Sequence, residues 1–149
     1  MAKRKGKKPY RKIDPSPEKV PRGRKKVEDS DIKLIVWHVG KIDKDGPWGW
    51  KDIEPERLWN NIHSKMSSFE SMTWDEVMKG GDNHPVSVDG IIPDARRRLE
   101  EIGQDDIDEL FSLRLSGRER IYGIRAGHIF KVLWWDPNHQ VCPVPLRHT

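Results

Sequence analysis

Three arginines, Arg114, Arg118 and Arg120, crowd a short stretch near the C-terminal end of this chain, with Tyr122 two residues on and His139 after an Asp136-Pro137-Asn138 turn. A guanidinium group binds phosphate through two parallel hydrogen bonds, so clustered arginines suit a phosphate-bearing ligand. Imidazole exchanges protons near neutral pH. Together these groups suit metal-independent cleavage of RNA, in which the 2′-hydroxyl attacks the adjacent phosphate. That reaction needs a proton acceptor, a proton donor and cations beside the developing charge. On this reading Arg114, Arg118 and Arg120 hold phosphate, Tyr122 positions the substrate and His139 transfers a proton. Asp136 either orients His139 or caps its own turn, and Asp-Pro is ordinary turn chemistry.

The arginines act together only if a sheet presents them together. Strand signals fall at about 110–115, 119–126, 128–135 and 140–144. A three-residue Leu115-Ser116-Gly117 loop sets Arg114 opposite Arg118. Ser112, Arg114, Arg118, Arg120 and Tyr122 then share one face, and Phe111, Leu113 and Ile121 share the other, core face. A two-residue loop instead sets Arg114 opposite Glu119, as a plain cross-strand ion pair. Both registers stay open at this point. Trp134 and Trp135 fall on opposite faces of one strand.

Upstream, 32–39 (IKLIVWHV) reads as a buried strand. A Gly-containing loop follows, whose Asp43-Lys44-Asp45-Gly46 resembles a calcium loop only in its first residues. Pro55 marks a helix start, with Leu58, Ile62, Met66 and Phe69 on one face. Thr73 and Glu76 form a capping-box pattern, and Gly80-Gly81 ends that helix. Val86–Val88 is a brief extended segment. Pro93 starts a third helix, with Ile92, Ala95, Leu99 and Ile102 on one face and Gly103 at its end. The expected fold is α+β: an N-terminal strand, two to three helices on one face of the sheet, then an antiparallel meander of three to four strands.

The 149 residues fit one domain, 31–149, behind an arm, 1–30. The net charge of +4 is unevenly shared: residues 1–30 carry twelve Lys/Arg against four Asp/Glu, and the remainder carries sixteen against twenty. The arm lacks apolar periodicity and is expected to be disordered. Its Lys3, Arg4, Lys5, Lys7, Lys8, Arg22, Arg24, Lys25 and Lys26 suit a polyanion, most simply nucleic acid, and otherwise only solubilise the chain. A non-catalytic binding module built on this arm is therefore the alternative to an enzyme. The single cysteine, Cys142, permits no internal disulfide and suits a reducing cytoplasm. No apolar segment reads as a signal peptide or membrane span. Cys142, His139 and His148 lie close in sequence but lack metal-ligand spacing, so no metal or cofactor is expected. His38, His63 and His84 have no partner pattern and read as surface or structural histidines.

The segment from Leu113 through Ser116-Gly117 to Arg120 and Tyr122, followed by the strand His128–Trp135, resembles the C-terminal half of RelE/ParE-like toxins. The resemblance covers roughly residues 90–142, and more loosely 32–142. The N-terminal arm, the Trp-rich loop and the Trp134–His139 ending lie outside the toxin pattern. RelE-like members are small ribonucleases that cleave messenger RNA, usually on the ribosome, and are neutralised by an antitoxin protein; ParE-like members target gyrase. The resemblance implies Arg120 and Tyr122 as the best-matched site residues, Arg114 as the basic position of the preceding strand, and His139 more loosely. It also implies RNA, the ribosome and an antitoxin as partners.

Overall fold

Two sets of apolar side chains face away from each other across a five-stranded sheet, and a helical layer covers each set. The computed structural model describes residues 29–143. The strands are β1 (Val36–His38), β2 (His84–Ser87), β3 (Glu109–Ser116), β4 (Glu119–Ala126) and β5 (Ile129–Asp136). Their order across the sheet is β1-β5-β4-β3-β2, with β1 parallel to β5 and every other pair antiparallel. The fold is mixed α+β, and the C-terminal meander supplies the three central strands.

One helix, α1, begins at Pro55 and runs through Pro55–Arg57, a π-helical turn at Leu58–Ile62, and His63–Glu70. A short helix, α2 (Trp74–Met78), opens on the expected capping box: the Glu76 amide donates to Thr73 Oγ1 at 3.2 Å, and the Thr73 amide donates to Glu76 Oε1 at 2.9 Å. These two helices bury Ile62, Phe69, Trp74 and Val77 against Phe111, Leu113, Ile121, Phe130 and Val132. Trp74 meets Phe111 edge-on with ring centroids 5.1 Å apart. Arg125 tops this layer: its guanidinium lies 4.1 Å from the Trp74 ring centroid and donates to Asp31 Oδ1 at 2.5 Å.

The opposite face carries α3 (Pro93–Glu101), whose Ala95 and Leu99 pack with Leu110, Tyr122, Leu133, Trp134 and Val141. Helices therefore cover both faces, which corrects the expectation of one. The reason is visible in β4 and β5, where neighbours such as Ile121 and Tyr122, or Trp134 and Trp135, send large side chains to opposite sides. The Trp-rich loop is pinned to this second layer. Trp48 is buried with its ring 5.2 Å from that of Trp134, and Asp43 accepts two hydrogen bonds from Arg98 and one from Trp134 Nε1. Asp43 is thus committed to the protein itself, not to a cation.

Three further expectations change. The segment around 32–39 is not a buried strand. β1 spans three residues at a sheet edge, and Ile32, Leu34, Val36 and Val39 are exposed. Residues 140–143 form no strand; Val141 donates its amide to Asp136 Oδ2 at 2.8 Å and accepts from the Ile92 amide at 2.9 Å, so the chain folds back over α3. The domain also reaches back past residue 31: Asp29–Ile32 is a 3-10 turn, and Ser30 Oγ is within hydrogen-bonding distance of Arg125 Nη2. Residues 1–28, and with them nearly all of the arm, lie outside the described residues. Among the described residues no helix is long and apolar enough to cross a membrane.

Gly123 sits where β4 shifts register against β5. A Cβ there would run into the Lys131 carbonyl and the Phe130 ring. Gly123→Ala should therefore cost about 1–3 kcal/mol or more, as overpacking against fixed backbone does. Urea unfolding checks this, and an unchanged midpoint would contradict the close approach.

Candidate functional site

Cross-strand register decides what the arginine hairpin presents. Ser116 pairs with Glu119 around a Gly117-Arg118 turn, with Gly117 at φ 49°, and a bulge separates Arg114 from Ser116. Arg114 consequently lies opposite Arg120, Leu113 opposite Ile121 and Ser112 opposite Tyr122. Neither expected partner of Arg114, Arg118 or Glu119, is correct. The displacement from the three-residue-loop register is two residues, an even number, so the face assignment survives. Ser112, Arg114, Arg120 and Tyr122 share one face, and Phe111, Leu113 and Ile121 share the other. Arg118 drops out of the row and stands exposed in the turn. Glu119 is claimed on the opposite face, where its Oε2 accepts from Arg57 Nε at 3.2 Å and Trp135 Nε1 at 2.7 Å.

Pairing through the sheet extends the row. Arg120 lies opposite Asp136 of β5, and His84 of β2 lies opposite Ser112. One face therefore carries an outer row of Arg114, Arg120 and Asp136 beside an inner row of His84, Ser112, Tyr122 and Trp134. The two guanidinium groups of the outer row converge. Arg114 Nε donates to the Gly117 carbonyl at 3.3 Å, and Arg120 Nη1 donates to the same carbonyl at 2.8 Å. Arg120 also donates to the Glu119 carbonyl at 3.2 Å. Among the described residues no carboxylate forms a salt bridge with Arg120. Arg114 has only a long pair with Asp82 at 3.4 Å, between half-exposed and exposed side chains. Such an exposed pair is worth little. Burial, followed by the Arg114 charge, lowers the Arg120 pKa against the opposing pull of Tyr122, Asp136 and Asp82. Arg120 stays charged at any ordinary pH. The site thus holds two like charges side by side around one carbonyl, with the Asp82 and Asp136 carboxylates at its margins.

His139 has φ 58°, a left-handed conformation rare outside glycine. It follows Asp136, whose Oδ2 caps the returning loop at Val141. The expected capping role of Asp136 is therefore present. Its other oxygen, Oδ1, is buried without a hydrogen-bond partner, and the residue is 0% exposed. Burial, with Arg120 and His84 adding and Asp136 opposing, lowers the His139 pKa. The shift favours the neutral imidazole, the form that accepts a proton. His139 also borders a depression of ≈ 540 Å³ walled by Pro47, Trp48, Ile92, Asp94, Gln140 and Pro143.

Tyr122 does not fit its expected role. It is 0% exposed, at the centre of the second core layer, and so cannot touch a substrate. Burial, then the Asp136 charge and Cys142, push its phenol pKa well up, with Ser112 and Arg120 pulling the other way. The Ser112 hydroxyl lies close, yet Tyr122 Oη makes no hydrogen bond of good geometry. Because removing a buried, unpaired hydroxyl relieves a desolvation cost, Tyr122→Phe should be neutral or stabilise by up to about 1 kcal/mol. Thermal unfolding reads the stability. A loss above about 1 kcal/mol would mean the hydroxyl is bonded after all.

His84 was missed in the sequence, where nothing marks it; its parity with Val86 on β2 becomes informative only once β2 is known to pair with β3. The nine Lys and Arg residues named in the arm lie outside the described residues, as does His148. Cys142 is partly buried, and burial raises its thiol pKa. Among the described residues, no group of three or more His, Cys, Asp or Glu residues is placed to hold a metal ion. No protein-family model, curated protein or solved structure matches this chain.

Proposed function

We propose that this protein is a RelE-like toxin acting as a metal-independent endoribonuclease, with the Arg114–Arg120 pair as its phosphate clamp and His139 as its proton acceptor. One observation carries the reading: two guanidinium groups meet at the Gly117 carbonyl, and among the described residues no carboxylate forms a salt bridge with Arg120. Adjacent like charges are stabilised by an anion, and a phosphodiester offers oxygens to both. His139 nearby, with its neutral form favoured, takes the 2′-hydroxyl proton. The depression beside it, bounded by Pro47, Trp48 and Ile92, suits a nucleobase. Arg118 and Tyr122 leave the catalytic set, the first as an exposed turn residue and the second as core.

The partners proposed with this reading are RNA, the ribosome and a cognate antitoxin, and the compartment is a reducing cytoplasm. Measuring RNA cleavage with and without ribosomes, for wild type and Arg120→Ala, tests the proposal. Equal cleavage by the two proteins removes Arg120 from the chemistry, and absence of cleavage by wild type in both settings removes the nuclease. The alternative, a non-catalytic module that grips nucleic acid with its arm, then stands, and deleting residues 1–28 should abolish nucleic-acid affinity.

A further inference from the structure

Cleavage by 2′-hydroxyl attack needs two proton-transfer groups, and His139 is one. The 5′-oxygen must leave as a hydroxyl, so something must protonate it. Tyr122, expected to position the substrate, is buried and unavailable for this task as well. The sheet supplies a different candidate. Through the β2–β3 and β3–β4 registers, His84, Ser112 and Tyr122 form one row, directly beside the row that carries Arg114 and Arg120. His84 is exposed, on the same face as Val86, which packs in the α3 layer. It sits on β2 at one sheet edge, across the arginine pair from Asp136 of β5 and the His139 turn that follows that strand.

The hydrogen bonding of His84 fixes which nitrogen does the work. Its Nδ1 lies 3.0 Å from the Pro85 carbonyl. A carbonyl only accepts, so Nδ1 carries the hydrogen in either protonation state. Nε2 is left as the ring nitrogen with no hydrogen-bond partner among the described residues. An imidazole with one nitrogen anchored to the backbone is held in orientation, and its other nitrogen can then serve in proton transfer.

We propose that His84 is the general acid of the site, donating its Nε2 proton to the departing 5′-oxygen while His139 accepts the proton of the attacking 2′-hydroxyl. The assignment rests on the ribonuclease reading above. The 2′-oxygen forms a bond to phosphorus as its proton passes to His139. The bond from phosphorus to the 5′-oxygen breaks with its electron pair going to that oxygen, which takes the proton from His84. The products are a 2′,3′-cyclic phosphate and a 5′-hydroxyl. Exchange of one proton with water returns both imidazoles to their starting forms, with no metal, oxidant or further reactant.

The test compares two RNA substrates in the full chain. One has the natural 5′-oxygen at the cleaved bond, and the other a bridging 5′-sulfur, whose thiolate leaves without protonation. His84→Ala should slow cleavage of the oxygen substrate by about 10²–10⁴-fold, the usual worth of a positioned acid. On the sulfur substrate it should remain within about tenfold of wild type. His139→Ala should be slow on both, because the 2′-hydroxyl is the same in each. Equal slowing of His84→Ala on both substrates would assign His84 a structural role and overturn the proposal. So would wild-type rates on the oxygen substrate, and either result leaves the arginine clamp standing. A wild-type protein silent on both substrates would remove the clamp and the acid together.

Discussion

Asp43→Ala should destabilise the fold by about 3–5 kcal/mol, the cost of removing one partner of a buried ion pair. Asp43 is almost fully buried, and its carboxylate ties the 43–50 loop to α3 through Arg98 and to β5 through Trp134. Arg98 donates to it from Nε at 2.9 Å and from Nη2 at 2.8 Å, Trp134 Nε1 donates at 2.9 Å, and the Gly46 amide donates at 3.3 Å. Removal strands the Arg98 charge, which keeps only Glu101 at 2.9 Å on its exposed side. It also strands the buried indole N–H of Trp134. The costs overlap, because both donors share one acceptor, so they do not add. Asp43→Asn is the more informative variant. It keeps the shape and one acceptor oxygen but loses the charge, and should fall between wild type and alanine.

Acid titration separates the charge from the shape. Burial alone would raise the Asp43 pKa, but Arg98 and Trp134, together with the Gly46 amide, outweigh it, and the net shift is downward. A carboxyl with a depressed folded-state pKa binds fewer protons folded than unfolded. Its stabilising contribution is therefore present above the unfolded value of about 3.9 and fades as pH drops through the lower folded value. The gap in stability between wild type and Asp43→Asn should be constant at neutral pH and narrow below about pH 4. Urea midpoints across that range measure it. A gap that stays constant into the acid range would show that the Asp43 charge adds nothing to the bond network.

Local signals in the sequence located most of the elements, because each was set by a few neighbouring residues. Pro55 and Pro93 sit at helix starts, Thr73 and Glu76 close a capping box, and Gly117 and Gly127 take positive φ in the two hairpin turns. What required long-range pairing was less legible. Both candidate loops for the β3–β4 hairpin fitted the local residues, and the bulge after Arg114 selected a third register. Parity nevertheless carried the face assignment through, which is why Arg114 and Arg120 were placed together correctly while their partners were not. Tyr122 illustrates the limit. Alternation put it on the arginine face, and so it is, but that face is polar only at its outer row. One row inward, α3 and the Trp48 loop bury it, and no local signal reports where a distant helix will land. His84 was hidden for the same reason, since its row exists only after β2 joins β3.

Arg120→Ala should lower the RNA cleavage rate by about 10²–10³-fold, the typical cost of losing one preorganised donor to a developing negative charge. The folded state should scarcely notice. Arg120 forms no salt bridge among the described residues, its bonds go to two turn carbonyls, and its neighbour Arg114 repels it. Removing it gives up two hydrogen bonds to carbonyls and the attraction of Asp136 in exchange for relief of that repulsion. Stability should therefore stay within about 1 kcal/mol of wild type. A large fall in activity with an unmoved urea midpoint is the signature of a binding group, because a structural arginine such as Arg125, with Asp31 and Trp74 as partners, would lose both together. Arg120→Lys sharpens the test. Lysine keeps the charge but not the planar fork, so it should recover only part of the rate if two phosphate oxygens are gripped, and nearly all of it if charge alone matters. Arg114→Ala should behave like Arg120→Ala in cleavage, since both guanidinium groups address one anion. The double variant should then fall by less than the product of the two single losses, as groups acting as a unit do. Independent, multiplying losses would mean that the two arginines hold different parts of the substrate. Single-turnover rates for the four proteins decide between these outcomes.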